Sequence, residues 1–231
     1  VVGMIDYNFP GVVTYTSFDG GATWQGPFQP KIPRGMVNGA GDPVTVFDQN
    51  GDVYICQMAY TYEKFELVGV YGYFAVTSII VNRSTDGGLT WDYAEVASPG
   101  AVFSYDDEVA AGEKPRGEVY SYFLDKPWIT IGPNPTDPSK DIIYLTYTLF
   151  IEVYTVAWLD ELPTLNIAEE VAVIEMVKSE DLNDTWSYPV AVSPYVYTAG
   201  YGEEPDRVVQ GSQPIVASDG TLHVAYFDTG T

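Results

Sequence analysis

With 231 residues, 46% of them apolar and 15% aromatic, the chain can bury a sizeable core, as one large all-β domain or two smaller ones, and its composition is not that of a disordered protein. Thirty-two acidic against ten basic residues give a net charge of −22, which makes nucleic acid and anionic membrane surfaces poor partners and otherwise serves solubility, weak Ca²⁺ binding or life in a salty medium. A single His and a single Cys exclude an internal disulfide and a zinc site, and no apolar run approaches the roughly 18 residues of a membrane-inserted helix.

The chain opens with two short apolar runs, 1–5 and 12–15, separated by Asn8, Pro10 and Gly11, which predict a hairpin. No signal peptide is visible, and Val1 already reads as strand, so the numbering is expected to begin after a processed or missing N-terminus. Next comes Ser17-Phe18-Asp19-Gly20-Gly21-Ala22-Thr23-Trp24. The short oxygen-bearing side chains Ser17, Asp19 and Thr23 suit bonding to turn amides, and Gly21 permits a positive φ, so the stretch predicts a tight hairpin turn followed by a large apolar plate. Residues 25–41, rich in Pro and Gly, read as a connection.

At Asp42 a second element starts, a proline-led strand, an Asn-Gly turn and a return strand over 42–55. Directly after it Cys56, in the strand-like run 53–58, reads as a small buried hydrophobe. An apolar run then leads into a second turn, Ser84-Thr85-Asp86-Gly87-Gly88-Leu89-Thr90-Trp91. The proline-led pair returns at Lys126-Pro127 through Tyr147, and a third turn, Ser179-Glu180-Asp181-Leu182-Asn183-Asp184-Thr185-Trp186, replaces the second glycine with Asn183, the non-glycine residue best suited to a left-handed backbone. Between them, 159–170 carries the Ala, Leu and Glu of a short helix and equally the length of a hairpin extension. The pair returns once more over 213–226, the leading prolines 43, 127 and 214 being 84 and 87 residues apart.

Four antiparallel strands per unit, with units in series, predict one β-propeller domain over 1–231: partial blades at 1–30 and 212–231, complete ones at 42–98 and 126–193. A chain that starts and stops inside a blade is expected either to be part of a longer one or to complete its ring by self-assembly through the terminal half-blades. The Ser-x-Asp-x-Gly-x-Thr-Trp motif resembles the Asp-box, or BNR repeat, of the sialidase-like β-propellers, and the resemblance extends over nearly the whole chain. It implies a secreted or cell-surface protein, with Asp19, Asp86 and Asp181 structural and their turns on the face opposite a ligand site. Family members include glycoside hydrolases, sorting receptors and assembly factors, so fold leaves function open.

Sialidases of the family hold a substrate carboxylate with three arginines, the first in Arg-Ile-Pro; here the order is Ile32-Pro33-Arg34. Arg34, Arg116 and Arg207 precede the leading prolines by 9, 11 and 7 residues and are candidates for a shared anion site; paired with surface carboxylates they would do little. Asp42 and Asp125, at the start of inner strands beside Lys126 and Gln213, are the candidate catalytic carboxylates, and equally routine turn residues. Tyrosine-rich stretches at 71–74, 120–123 and 195–201 suit stacking on sugars. The run Tyr105-Asp106-Asp107-Glu108 is a weak Ca²⁺ candidate without the alternation of a Ca²⁺ loop, and no other cofactor is expected. The leading expectation is a module that binds or assembles on glycans or cell-surface proteins; the alternative is an exo-acting glycoside hydrolase of sialidase type.

Overall fold

The computed structural model describes residues 1–7, 11–199 and 206–230, apart from the side chains of 37–40 and 199. Asn8 and Pro10, expected in the first turn, lie outside the described residues. The chain is all-β, with no helix among the described residues. The first sheet holds β1 (Val2–Asp6), β2 (Gly11–Thr16) and β3 (Gln25–Phe28). The second holds β4 (Val37–Phe47), β5 (Val53–Leu67), β6 (Val70–Ser84) and β7 (Glu95–Ser98). The third runs through β8 (Ala101–Asp106), β9 (Gly117–Asn134), β10 (Asp137–Leu159), β11 (Leu162–Ser179) and β12 (Val190–Ala191), with β13 (Val196–Ala199) also on β11. The fourth is β14 (Val209–Val216) with β15 (Leu222–Asp228).

The sheets follow one another in space as in sequence. Strand β4 touches β1 and β2 on one side and β9 on the other, while β9, β10 and β11 touch β14. The arrangement is a curled half-barrel, and the described residues form no closed ring of four-stranded blades. The middle sheets are therefore covered on both faces. This explains why the runs 53–59 and 76–82 are buried at every residue instead of at alternate ones. The main core lies between the second and third sheets, where Tyr54, Cys56, Met58 and Ile79 meet Leu124, Ile143, Leu145 and Tyr147. Burial pushes the Cys56 thiol up to about 12, so it stays an inert hydrophobe.

One expectation is corrected here and one open alternative is decided. The unit expected over 126–193 begins earlier and is wider, because 99–125 is not an irregular connection: it contains β8 and the first half of β9. Val119 and Ser121 of β9 are buried on one face, while cross-strand ring pairs, Phe103–Tyr122 and Tyr105–Tyr120, lie on the other together with the buried Leu124. The second concerns 159–170, which is a hairpin extension: β10 and β11 stay paired to Leu159↔Leu162. Its counterpart, β5–β6, is paired to Leu67↔Val70. The two extensions pack on each other through Phe65, Phe74, Tyr154 and Leu165.

The Ser-x-Asp turns lie where β2 leads into β3, β6 into β7 and β11 into β12, in the last two cases at the end of the strand away from the extension. In the second turn the Asp86 carboxylate accepts from the Thr90 amide (2.9 Å), the Thr90 hydroxyl (2.6 Å) and the Ser84 hydroxyl (2.8 Å), and Ser84 Oγ accepts from the Gly88 amide (2.9 Å). Asp19 and Asp181 take the matching bonds from Thr23 and Thr185, and Ser17 and Ser179 from Gly21 and Asn183. The turns also stitch neighbouring sheets: Thr16 donates to the Gly87 carbonyl (2.6 Å), and Asn183 Nδ2 donates to the Val81 carbonyl (3.1 Å). Asn183 has φ 89°, the left-handed value expected of it, and supplies a bond that glycine could not. Trp91 is buried and Trp186 half-buried against the main core, but Trp24, expected inside, is 49% exposed. Trp91 lies against the preceding sheet, whereas Trp24 belongs to the first sheet and among the described residues has no sheet before it.

Burial pushes the Asp86 carboxyl up, but the bonds from Thr90 and Ser84 outweigh it and lower the group to about 2 from 3.8. The Thr23 and Ser17 bonds likewise hold Asp19 at about 2. A carboxyl depressed on folding stabilises above its unfolded value and ceases to do so as pH falls through its folded value. Stability is therefore expected to fall between pH 4 and pH 2, and Asp86→Asn to flatten that fall by about 1 kcal/mol after solvent screening. Urea denaturation at stepped pH measures it, and an unchanged slope in the variant would refute the assignment.

Candidate functional site

Strands β4, β9 and β14, from three different sheets, carry the same irregularity. Pairing jumps from Gly41↔Met58 to Val44↔Cys56, from Asp125↔Thr148 to Trp128↔Thr146, and from Gln210↔Phe227 to Gln213↔Ala225. Each jump inserts one extra residue, a β-bulge, and each bulge opens on a left-handed residue: Asp42 at φ 49°, Lys126 at 53° and Gly211 at 67°. The next residue is Pro43, Pro127 or Ser212, at a place where the ladder is already interrupted and a proline removes nothing. The expected equivalence of Pro214 with Pro43 and Pro127 is thereby corrected: Ser212 holds that position, and Pro214 pairs with Val224 two residues farther along.

The three bulges converge. Asp42-Pro43-Val44, Lys126-Pro127-Trp128 and Gly211-Ser212-Gln213 together line a pocket of about 280 Å³. Lys126 Nζ lies 3.1 Å from Asp42 Oδ2 and 3.7 Å from Asp125 Oδ1, and Gln210 Nε2 donates to Asp125 Oδ2 at 3.1 Å. A polar chain thus crosses three sheets. The bond to Asp42, with the Asp125 charge adding to it, raises the Lys126 pKa and keeps it cationic. Tyr60 lies in the field of both carboxylates: burial first, then Asp125 and Asp42, raise its hydroxyl. Ser212 Oγ is fixed by Thr146 Oγ1 at 2.9 Å. Trp128 is 39% exposed at the pocket, so its ring is available to a ligand.

Of the sequence candidates, Asp42 and Asp125 are brought together here, with Lys126 between them. The arginines are not part of the pocket lining. Arg207 forms a two-pronged pair with Asp228 (2.8 and 2.6 Å), which holds that carboxyl at about 2. Arg116 pairs with Glu113 at 3.2 Å, and Arg34 is exposed without an ion pair among the described residues. In the acidic run, Asp106 accepts from the Val68 amide (2.9 Å) at a hairpin tip; among the described residues no three metal-type ligands converge. Tyr71 and Tyr73 are exposed on the β5–β6 extension, and Tyr201 lies outside the described residues. Trp128 and Gln210 escaped the sequence reading; the signal was the dipeptide before each bulge strand, obscured in the third copy because Pro214 stands two residues late.

Neither a protein-family model nor any curated protein matches the chain.

Proposed function

We propose that the chain is a glycan-binding module of propeller-like design, secreted or on a cell surface, which takes a single sugar ring in the pocket between the three bulges. The observation that carries this reading is the pocket's composition: one exposed indole, Trp128, beside a row of charged and amide groups, Asp42, Lys126 and Gln213, with the Lys126 ammonium held by Asp42. A sugar ring offers an apolar face for stacking and hydroxyls that both donate and accept, and such a row satisfies both. The volume is just below the roughly 300–1,000 Å³ of drug-sized sites, the scale of one ring. Left-handed backbone at two non-glycine residues of the lining, Asp42 and Lys126, is the kind of strain that concentrates at ligand sites.

The alternative, a glycoside hydrolase acting through Asp42 and Asp125, is supported by the approach of both carboxylates to Lys126, with Asp42 alone of the two lining the pocket. Lys126 argues against it, since its ammonium occupies the space between them and binds both. The test is a titration of neutral and acidic monosaccharides followed by tryptophan fluorescence. Trp128→Ala should weaken binding about thirty-fold, as for a buried aromatic anchor, with the thermal midpoint little changed. Release of free sugar from a glycoside, lost in Asp125→Asn, would establish the hydrolase instead. Absence of any saturable sugar binding would overturn the reading.

A further inference from the structure

A second cavity lies away from the bulges, between the second and third sheets. It measures about 480 Å³, and its lining includes Tyr122, Leu124, Leu149, Trp186, Tyr188 and one charged residue, Glu175. The Glu175 carboxylate accepts from the Tyr147 hydroxyl at 2.9 Å, and that hydroxyl is bonded in turn to Ser98 Oγ at 2.8 Å. Among the described residues no Lys or Arg pairs with Glu175, although it is half-buried and burial raises its pKa. A carboxylate withdrawn from water without a cation is costly, and here it is set in a wall of aromatic rings.

We propose that this cavity binds an organic ammonium group, with Glu175 as counter-ion and Trp186, Tyr188 and Tyr122 as its aromatic walls. Ring faces attract a cation through their quadrupole, most strongly when water is excluded, and a carboxylate beside them adds the charge that selects an ammonium over a neutral apolar group. The net charge of −22 raises the local concentration of any cation. The shared chemistry has two sources: a free quaternary amine, or the side chain of a lysine on another protein. The volume accepts either head group with several carbons behind it.

The probes are tetramethylammonium chloride and n-butylammonium chloride, each titrated into the intact chain by calorimetry and tryptophan fluorescence, with sodium chloride at equal ionic strength as the blank. Saturable binding of at least one is expected. Glu175→Gln, which keeps an oxygen for Tyr147 but removes the charge, should weaken it about ten-fold or more. Tyr188→Ala should weaken it too, and because Tyr188 is 93% exposed that variant is expected to fold normally. Preference for tetramethylammonium identifies a free quaternary amine as the source, and preference for n-butylammonium a lysine side chain. Binding matched by sodium chloride, binding indifferent to Glu175→Gln, or no saturable binding would each overturn the proposal.

Discussion

Replacing Trp91 by Ala is expected to destabilise the protein by about 3–5 kcal/mol, the range for removing a buried large aromatic. The side chain is 4% exposed and sits between two sheets, against Val12 of the first and Val53 and Ile55 of the second. Its indole N–H donates to Thr14 Oγ1 at 3.0 Å, and the Thr14 hydroxyl donates to the Phe28 carbonyl, so the indole is also the link that fixes the first sheet on the second. Truncation opens a cavity at that junction and removes the donor together. Trp24, in the same place in its own turn but 49% exposed, provides the internal comparison: Trp24→Ala should cost about 1 kcal/mol or less. Urea unfolding of both variants, with the slope checked for constancy, measures the difference. Equal and small losses would show that the turn tryptophans do not bind sheet to sheet.

The second large effect is expected at Gly100, where Ala should cost about 3 kcal/mol, the upper end for overpacking. Gly100 joins β7 to β8, and its N–H donates to Ser78 Oγ at 3.1 Å. A Cβ there would collide with the Thr77 carbonyl oxygen of the second sheet and come within 3.1 Å of the Tyr122 carbonyl oxygen of the third. Both are backbone atoms and cannot swing away. They are also pinned, since Thr77 and Leu124 exchange bonds through the Thr77 hydroxyl, which donates to the Leu124 carbonyl and accepts from its amide at 2.8 Å. The comparison is Gly112→Ala, at φ 92° with no neighbour to meet, where left-handed strain alone should cost about 1 kcal/mol. Thermal unfolding of the two variants decides the matter; a Gly100 variant no less stable than the Gly112 one would mean that the sheets slide apart freely at this point.

The turns and hairpins were legible in the sequence because their determinants are local. Ser84, Asp86 and Thr90 bond one another within eight residues, and a glycine pair reports its own backbone. The helix-or-hairpin ambiguity at 159–170 was resolved by partners far away: Tyr154 and Leu165 are held by Phe65 and Phe74 of another hairpin. Strand β8 was hidden because Pro and Gly at 99, 100 and 112 suggested a connection, while the rings that pair across β8 and β9 come from two separate stretches. Of the pocket, Asp42 and Asp125 could be chosen by position along their strands, but Lys126 as the cation between them depends on two sheets meeting. The arginines illustrate the converse: equal spacing from a proline fixes where a residue leaves the strand, and a nearby Asp228 or Glu113 then decides where its guanidinium goes.

Within each sheet, apart from β13, strands pair with their neighbours in the chain. Each pairing therefore closes only a short loop, and the entropy lost in forming a sheet is small compared with bringing together residues 71 to 102 positions apart, as the bonds Thr16–Gly87, Trp91–Thr14 and Asn183–Val81 do. The expected order of assembly is hairpin, then sheet, then docking of sheet on sheet, with those stitches and the Asp42–Lys126 contact formed last. The pocket, made of one bulge from each of three sheets, would then come into being only in the final step, after every wall that surrounds it had already folded.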